Sequence, residues 1–498
     1  MLETIGYTIG ESKITKLNFI SKGKPEVGEY VYFEYENEVI IGMIESLYRG
    51  NQSIDELIRN PEIVKRIMEI EKDMDQYIRG TITVLGDKDN LRIPRIPCPA
   101  GTEIKKADTY LLNEVFKRDN GVEIGTILTN PEVKVNLDIN SMVSRNLGIL
   151  AMTGAGKSNT TAVIIDELLK VGGCIVVFDM HSEYGRTKFT NGDVKTIIPR
   201  INPKDLTMEE LKRLSGIKDN AVNQERYLRE SHKEAMEQLQ IGGVDDFIQT
   251  MINNVDKERS RLEGEKNTSK NVEACTSVIN KLDDLRKKYE RILNSTDAAD
   301  IVNEIELDKA NIIGLSSLDE LASDIIVNHT LNHILNRRKT NDIEFPVFCI
   351  IEEAHMLASR ERDTRSKYTI AKIAREGRKF GVGLCLVSQS PKSLDDHALS
   401  QMNNLIILRT VSPSDQKYIA QCSESISQDL IEQLPSLNIG EAIVLGQMIK
   451  VPTMIKINKF EGKIVGTDLD IINIWQNHKK EQEIKIEQQN REIEDLGI

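Results

Sequence analysis

The chain has 498 residues, of which 39% are apolar and 29% charged, with 13 prolines and 31 glycines. At about 150 residues per domain, this length predicts roughly three domains or a large core carrying insertions. The apolar content suffices for a packed interior, which excludes a disordered chain, a collagen and a disulfide scaffold. The formal net charge of −13 argues against an overall basic surface for nucleic acid, although a local basic patch stays possible.

No apolar run approaches the roughly 18 residues of a membrane span, and the longest candidates, such as Phe345–Ile351, have the length of a core strand. The first ten residues lack the basic flank and apolar stretch of a secretory signal. The six cysteines are scattered and form no CxxC pair, which predicts reduced thiols in the core. We therefore expect a cytoplasmic protein with no membrane partner.

Residues 1–100 contain short, strand-like runs separated by polar turns. Two of them, Glu29–Tyr35 and Glu38–Ser46, flank a pair of polar residues typical of a hairpin turn. A further run, Arg79–Gly86, precedes a proline-rich stretch, and residues near 55–72 have a helical pattern. This arrangement predicts an N-terminal β-barrel interrupted by a helix.

Farther along the chain, apolar runs alternate with helical patterns, which predicts a parallel α/β sheet. The predicted strands are Leu147–Leu150, Cys174–Phe178, Asn311–Leu315, Val347–Ile351, Leu384–Val387 and Leu405–Leu408. We assign this core to residues 101–203 and 301–466. A charged, helix-forming insertion over residues 204–300 divides it, and residues 467–498 form a C-terminal arm.

The strongest motif is Ala151–Ser158 (AMTGAGKS), a phosphate-binding loop of the form [A/G]xxxxGK[S/T] between a predicted strand and a predicted helix. Glycines let backbone N–H groups converge on phosphate oxygens at a helix N-terminus. Lys157 reaches the β- and γ-phosphates, and the Ser158 hydroxyl completes a Mg²⁺ shell. The predicted nucleotide contacts are Thr153, Gly154, Ala155, Gly156, Lys157, Ser158 and Asn159.

The apolar run Val347–Ile351 ends in two carboxylates, Glu352 and Glu353. Because both acids directly follow a buried strand, we expect Glu352 to reach the Mg²⁺ region and Glu353 to lie beside the γ-phosphate. There Glu353 can orient and deprotonate the attacking water. Since Asp is the usual first acid, we expect the longer Glu352 to contact metal-bound water. Asp179, at the end of another strand, is a candidate for the Mg²⁺ shell, with a turn-forming role as the alternative.

Gln389 follows the strand Leu384–Val387, next to the strand that carries the glutamates. A polar side chain there can sense the γ-phosphate, and a simple turn before Pro391 is the alternative. The run Asn280–Asp283 (NKLD) resembles a guanine-specificity motif, but it lies inside the helical insertion with no strand before it. The predicted nucleotide is therefore ATP, bound with Mg²⁺.

The segment Ser359–Lys379 carries eight basic and three acidic residues in an otherwise acidic chain. This concentration, just after the glutamates, suits contacts to a phosphate backbone or a γ-phosphate finger, and a solvated helix is the alternative. We take Arg360, Arg362 and Arg365 as candidate DNA contacts.

His329 and His333 are four residues apart, so they lie on one face of a helix and form a possible pair of metal ligands. The glutamate of an HExxH site is absent, and no cysteine or acidic partner is evident nearby. A surface or core role is the favoured interpretation.

The phosphate-binding loop occurs together with VFDMHSEYG (177–185), IIEEAH (350–355) and EGRKFGVGLCLVSQSP (376–391). These four segments resemble the HerA family, the archaeal and bacterial branch of the hexameric FtsK/HerA translocases. The opening IGYTIG (5–10) and the barrel-like first hundred residues also resemble the N-terminal barrel of that family.

The resemblance implies a RecA-like P-loop ATPase core, a helical-bundle insertion and a homo-hexameric ring around double-stranded DNA. It implies a partner nuclease of the NurA type in DNA end resection, or in bacteria another effector enzyme in phage defence. It also implies that Arg145 is a trans-acting arginine and Arg378 a sensor arginine. A salt bridge from Arg145 that joins the barrel to the core is the alternative for that residue. Glu352 departs from the family's aspartate, which bears on the rate of hydrolysis.

The leading hypothesis is an ATP-driven, ring-shaped translocase or helicase on double-stranded DNA that works with a partner nuclease in DNA end processing. The chain has no nuclease or transferase motif, which is consistent with ATP hydrolysis that drives only movement. One alternative is the ATPase scaffold of an anti-phage defence complex with another effector enzyme. A further alternative is an ATPase that moves protein in secretion or conjugation.

Overall fold

The computed structural model describes residues 3–464, except residues 22, 55, 57, 72–75, 119, 243, 294–299, 424 and 425, together with residues 472, 475, 476, 478 and 479. The C-terminal arm predicted for residues 467–498 lies outside this described part of the chain, apart from the last five residues named. Among the described residues, no helix is both long and apolar enough to cross a lipid bilayer.

The N-terminal part of the chain forms a closed, antiparallel barrel of six strands. The strands are β1 (Thr4–Ile9), β2 (Lys16–Ser21), β3 (Tyr30–Tyr35), β4 (Glu38–Asn51), β5 (Gln76–Asp87) and β6 (Glu103–Lys106). They neighbour one another in the order β1-β2-β5-β4-β3-β6. Inward-facing side chains such as Phe19, Phe33, Ile44 and Ile82 fill the interior, and helix α1 (Pro61–Glu71) lies between β4 and β5.

The predicted barrel is confirmed, but its last strand lies beyond residue 100, where we drew the boundary. β6 follows the proline-rich stretch and pairs antiparallel with both β1 and β3. An open sheet edge would leave a row of unpaired backbone groups, and β6 removes that edge. Glu36 and Asn37 join β3 to β4 with φ of 51° and 63°, as a two-residue hairpin turn requires.

The rest of the chain is built on one sheet of eleven strands. These are β7 (Gly121–Ile127), β8 (Asn130–Asp138), β9 (Leu147–Leu150), β10 (Ile175–Asp179), β11 (Asp193–Ile197), β12 (Lys309–Gly314), β13 (Val347–Ile351), β14 (Val382–Ser388), β15 (Asn404–Leu408), β16 (Glu441–Gly446) and β17 (Thr453–Ile457). Their order is β11-β12-β10-β13-β14-β9-β15-β16-β17-β7-β8. The first seven are mutually parallel, and the last four are added antiparallel.

Thirteen helices accompany the sheet in the part of the chain that the structure describes. They are α2 (Thr109–Phe116), α3 (Ile139–Ser144), α4 (Lys157–Leu169), α5 (Met208–Leu214), α6 (Val222–Ile241), α7 (Phe247–Glu263), α8 (Ser269–Lys288), α9 (Glu320–Thr340), α10 (Ala354–Leu357), α11 (Arg365–Glu376), α12 (Asp396–Leu399), α13 (Pro413–Cys422) and α14 (Gln428–Gln433). Helices α5 to α8 lie between β11 and β12, and α6 to α8 pack on one another through buried residues such as Leu228, Met251 and Val278. The backbone N–H of Ile201 donates to the carbonyl of Ile292 over 3.0 Å, so the two ends of this insertion lie side by side.

The barrel packs against the antiparallel part of the sheet. The ring of Tyr30 meets Phe116 edge to face, with centroids 5.4 Å apart. Its hydroxyl donates to Thr453 Oγ1 over 3.0 Å, so a residue of β3 is bonded to a residue of β17. The side chain of Lys16 also forms an ion pair with Asp429, 2.5 Å away.

The parallel strands set the position of the functional residues. In such strands all carboxyl ends lie along one edge of the sheet, and ligands bind where the strand order reverses. The segments that follow β9, β10, β13, β14 and β15 therefore share one edge. The phosphate-binding loop follows β9, which lies between β14 and β15.

Candidate nucleotide-binding site

The loop between β9 and α4 has the backbone of a phosphate cradle. Gly154 and Gly156 have φ of 77° and 104°, a region that favours glycine. A Cβ on Gly154 would meet no atom within 4 Å, so this face of the loop is open to a ligand. Ala155 is buried and its carbonyl accepts a 3.0 Å bond from the N–H of Gly440, which holds the loop from behind. Ser158 follows in α4, and its hydroxyl makes no hydrogen bond to a described residue.

The ammonium of Lys157 is buried between the two predicted glutamates. It donates to Glu353 Oε1 and lies 3.4 Å from Glu352 Oε2. Burial by itself lowers the pKa of Lys157, but the two carboxylates outweigh it and hold that pKa above its ordinary value. The structure therefore brings the loop lysine and both strand-end acids into one cluster.

Glu353 is held by three side chains from three segments. Its Oε1 accepts bonds from Lys157 and, over 2.6 Å, from Gln389 Nε2, while the Gln389 Oε1 accepts from Thr153 Oγ1 over 2.5 Å. Its Oε2 lies 3.3 Å from His355 Nδ1, and burial lowers the pKa of that histidine. Glu353 has φ of 46°, an uncommon value for a residue with a side chain. This backbone turn directly after β13 supports a functional rather than a merely structural position.

Glu352 is paired with a tyrosine that sequence reasoning did not select. The Tyr184 hydroxyl donates to Glu352 Oε1 over 2.9 Å, and both side chains are buried. Burial raises the pKa of Glu352 to about 7, against the opposing effects of Lys157 and of the tyrosine hydrogen bond. Tyr184 therefore helps to keep Glu352 charged.

Asp179 makes the contacts of a turn. Its Oδ1 accepts from the backbone N–H groups of His181 and Glu183, over 3.3 and 3.1 Å, and its Oδ2 accepts from that of Tyr184 over 2.9 Å. These are the contacts of the turn-forming alternative, and they position Tyr184 against Glu352. A contact of Asp179 to Mg²⁺ stays a prediction.

Asn159 uses its side chain to hold a distant segment rather than to face the loop. Its Nδ2 donates to the carbonyl of Asn458 over 2.9 Å, and its Oδ1 accepts from the N–H of Phe460 over 2.9 Å. Only its backbone is left for the nucleotide contact that we predicted.

Arg145 and Arg378 do not lie with these residues. Arg145 directly follows α3, two residues before β9, and Arg378 lies four residues before β14. Both therefore flank the amino ends of neighbouring parallel strands, whereas the loop lies at the carboxyl ends. The seven residues of β14 alone span about 23 Å. From this edge the Arg378 side chain does not reach the loop of its own subunit, and its role as a sensor arginine stays a prediction.

Of the predicted DNA-contacting arginines, Arg360 and Arg362 are exposed and Arg365 is half-buried, and all three are paired within the chain. Arg360 lies 3.5 Å from Asp396, Arg362 donates to Glu320, and Arg365 lies 3.0 Å from Glu209. Surface ion pairs of this kind contribute about 0–1 kcal/mol to stability, so DNA phosphate groups can compete with the carboxylates for these arginines.

Comparison with known proteins agrees with this architecture along the whole chain. Family models match the HAS barrel domain at residues 5–90, the central domain of helicase HerA at 122–334 and the HerA-like C-terminal domain at 336–460. The DNA double-strand break repair helicase HerA of Sulfolobus acidocaldarius is 39% identical over 491 residues, which cover 96% of this chain and 98% of the relative. The chain belongs to the HerA family.

Two further proteins are similar to this chain. A protein of Methanocaldococcus jannaschii named a probable helicase is 41% identical over 491 residues, covering 95% of this chain and 94% of that one. Among solved structures, VirB4 of Thermoanaerobacter pseudethanolicus superposes with a TM-score of 0.51 at 17% identity, over 69% of this chain and 98% of that chain. That likeness shows the shared fold alone. The family confirms the predicted RecA-like P-loop class and the predicted enzyme class, an ATP-hydrolysing helicase or translocase.

Two residues of the site, Tyr184 and His355, were missed by sequence reasoning. Both lie inside segments that we quoted for the HerA resemblance, VFDMHSEYG and IIEEAH. The sequence feature that could have indicated them is their closeness to predicted acids along the chain. His355 lies two residues after Glu353, and Tyr184 lies five residues after Asp179. The hydrogen bond between Tyr184 and Glu352 joins the ends of two strands, and no local pattern indicates it.

We expect Glu353→Gln to retain nucleotide binding and to lower ATP hydrolysis by about 10²–10⁴-fold, because an amide cannot accept the proton of the attacking water. Lys157→Ala should lose both binding and hydrolysis, because the phosphates lose their counter-ion. Binding of a labelled nucleotide and release of phosphate measure the two effects separately. Glu167→Gln, a neutralisation near the far end of α4, is the matched control, and equal hydrolysis by wild type and Glu353→Gln would remove Glu353 from the reaction.

We expect Tyr184→Phe to move the acid limb of the kcat/KM profile for ATP to higher pH. The change removes a hydrogen bond that lowers the pKa of Glu352, so the carboxyl group needs a higher pH to ionise. A bond to a charged group of about 1.5 kcal/mol corresponds to about one pH unit. Tyr289→Phe removes a similar hydroxyl-to-carboxylate bond, to Asp319, outside the site and is the control. Superimposable profiles for wild type and Tyr184→Phe would contradict this role.

Proposed function

We propose that the chain is an ATP-driven, ring-shaped translocase or helicase on double-stranded DNA that works with a partner nuclease in DNA end processing. The observation that carries the proposal is the cluster of Lys157, Glu352 and Glu353 at the carboxyl edge of the sheet, in a chain that matches HerA relatives over nearly its full length. Those relatives are named as DNA double-strand break repair helicases, which favours repair over a scaffold in phage defence.

The residues of the loop fit ATP and Mg²⁺ by their chemistry. The open face at Gly154 offers backbone N–H groups to phosphate oxygens, and the free hydroxyl of Ser158 suits a Mg²⁺ shell. Mg²⁺, when bound, would neutralise charge on the phosphate oxygens. Lys157 would exchange its carboxylate partners for phosphate oxygens, which releases Glu353 to accept a proton from water at Oε1. Gln389, itself bonded to Thr153, would hold Glu353 and sense the γ-phosphate.

A ring would complete this site from a neighbouring subunit. Support comes from the position of Arg145 and Arg378 at the opposite sheet edge, where neither guanidinium has a hydrogen bond or an ion pair to a described residue. In a cyclic assembly built head to tail, one edge of a subunit faces the other edge of its neighbour. Arginines so placed would stabilise charge on the transferred phosphoryl group, an effect of about 10³–10⁵ in rate.

We expect mixed rings to test this arrangement. Arg145→Ala and Glu353→Gln subunits, each inactive alone, should regain ATPase activity when co-assembled, because some interfaces pair an intact Glu353 with a neighbour's intact Arg145. In random mixing at equal amounts, up to about a quarter of the interfaces are complete. Arg378→Ala, mixed in the same way, tests the second arginine.

A mixture of Lys157→Ala and Glu353→Gln is the matched control. Both changes damage the half-site that one subunit supplies, so no interface in that mixture is complete. Its activity should stay at the level of the parents. If the Arg145→Ala mixture is equally inactive while co-assembly is verified by mass, Arg145 does not act on a neighbour's nucleotide.

We expect duplex DNA to stimulate ATP hydrolysis and to bind without sequence preference but with strong salt dependence. Replacing Arg360, Arg362 and Arg365 together by Gln should reduce DNA stimulation and lower the slope of log K against log salt by up to about three, since each phosphate contact contributes about 0.9. Glu320→Gln, which frees Arg362 from its ion pair, should tighten DNA binding.

Three ion-paired arginines of the insertion, Arg229, Arg261 and Arg286, provide a control with the same loss of charge. Their replacement by Gln should leave the salt slope unchanged. The opposite pattern, with a lower slope only in the insertion variant, would move the DNA interface to the insertion. A wild-type ATPase that duplex DNA does not stimulate would contradict the proposed function.

A further inference from the structure

A cluster of two histidines and one aspartate lies away from the nucleotide-binding site, where the helical insertion returns to the sheet. His329 and His333 belong to α9, and Asp300 precedes the short turn Ile301–Glu304 that leads to β12. Each side chain offers one metal-ligating atom, and these atoms all lie within 4.8 Å of one another. The interpretation of the histidines as surface or core residues rested on the lack of an evident acidic partner, and Asp300 supplies one.

The spacing in the cluster is close to that of ligands on one tetrahedral ion. His333 Nδ1 lies 2.7 Å from Asp300 Oδ2, and the centroids of the two imidazole rings are 4.0 Å apart. Ligand atoms bound to zinc at about 2.0–2.1 Å are about 3.3 Å from one another. Side-chain movements of about 1 Å or less therefore make room for an ion between Asp300 and the histidines.

The backbone holds the three ligands from two directions. The i, i+4 spacing places both imidazoles on one face of α9. Asp300 is held at the start of its turn, because its Oδ1 accepts from the N–H of Val302 over 3.1 Å. His329 is 7% exposed, so its imidazole lies at the edge of the interior rather than in open solvent.

The charges around the cluster favour a cation. The carboxylates of Glu210 and Asp205 lie close enough to His329 to act on it electrostatically. Arg337 is the opposing positive charge, 3.9 Å from Asp300 Oδ2, but its shorter bond, 2.6 Å, goes to Asn303 Oδ1. The two imidazole rings are thus surrounded by three carboxylates, including that of Asp300, and by one guanidinium.

We propose that Asp300, His329 and His333 bind one divalent transition-metal ion of the zinc class, with water as the fourth ligand. Two imidazole nitrogens and one carboxylate oxygen suit Zn²⁺ or Co²⁺, whereas Mg²⁺ prefers oxygen ligands. The ion would link the end of the insertion to α9. It would take no part in hydrolysis, since none of these side chains contacts a described residue of the phosphate-binding loop. The alternative to a bound ion is a proton shared between Asp300 and His333.

The test uses Co²⁺ as a spectroscopic probe and Zn²⁺ as its competitor, on the full chain freed of chelators and without a polyhistidine tag. We expect one Co²⁺ per chain, visible ligand-field bands of a four-coordinate site, and loss of those bands when Zn²⁺ is added. Near-ultraviolet bands from thiolate ligands should be absent. His329→Gln, His333→Gln and Asp300→Asn should each weaken binding at least about tenfold.

His397→Gln, at an exposed histidine outside the cluster, is the matched control and should bind Co²⁺ as the wild type does. Zn²⁺ should raise the thermal midpoint of the wild type and of His397→Gln, but not that of the cluster variants. Circular dichroism establishes that each variant is folded. Failure of the wild type to bind either ion, or binding that is equal in all variants, would overturn the proposal and leave the shared proton as the occupant.

Discussion

The buried ammonium of Lys157 is the constraint on which the site depends. A buried charge is tolerated only with close partners, and removal of one partner from such a pair typically costs about 3–5 kcal/mol. Here the partners come from another part of the chain, since Glu352 and Glu353 follow β13 while Lys157 opens α4. The ion pairs therefore fix the loop against the end of β13, and these are the groups that ATP would rearrange in the proposed function.

A second layer of contacts holds those carboxylates. Tyr184, positioned by the turn around Asp179, donates to Glu352, and Gln389 donates to Glu353. The ends of β10, β13 and β14 are thus coupled through hydrogen bonds to a single pair of acids. In the proposed mechanism, a movement of Glu353 would also act on Gln389 and, through it, on Thr153.

The sheet geometry also separates the two halves of the proposed catalytic machinery. Parallel strands place the loop and the glutamates at one edge, and Arg145 and Arg378 at the other, with the length of β14 between them. No side chain spans that distance, so Arg145 and Arg378 would act only on the nucleotide of a second copy of the chain. The overall charge of −13 does not by itself oppose the proposed DNA binding, because such binding would depend on local charge, for which Arg360, Arg362 and Arg365 are the predicted residues.

The sequence by itself determined six of the eleven strands of the sheet, the loop around Lys157 and the strand-end acids, because hydrophobic periodicity and motif spacing are local properties. It also indicated the barrel, but not that β6 closes it after the proline-rich stretch. Only the tertiary structure decided that Tyr184 bonds to Glu352, that Asp300 joins the histidines of α9, and that Arg378 lies at the wrong edge for its own nucleotide. Each of these depends on which distant segments meet, and that is set by strand order and packing rather than by any local pattern.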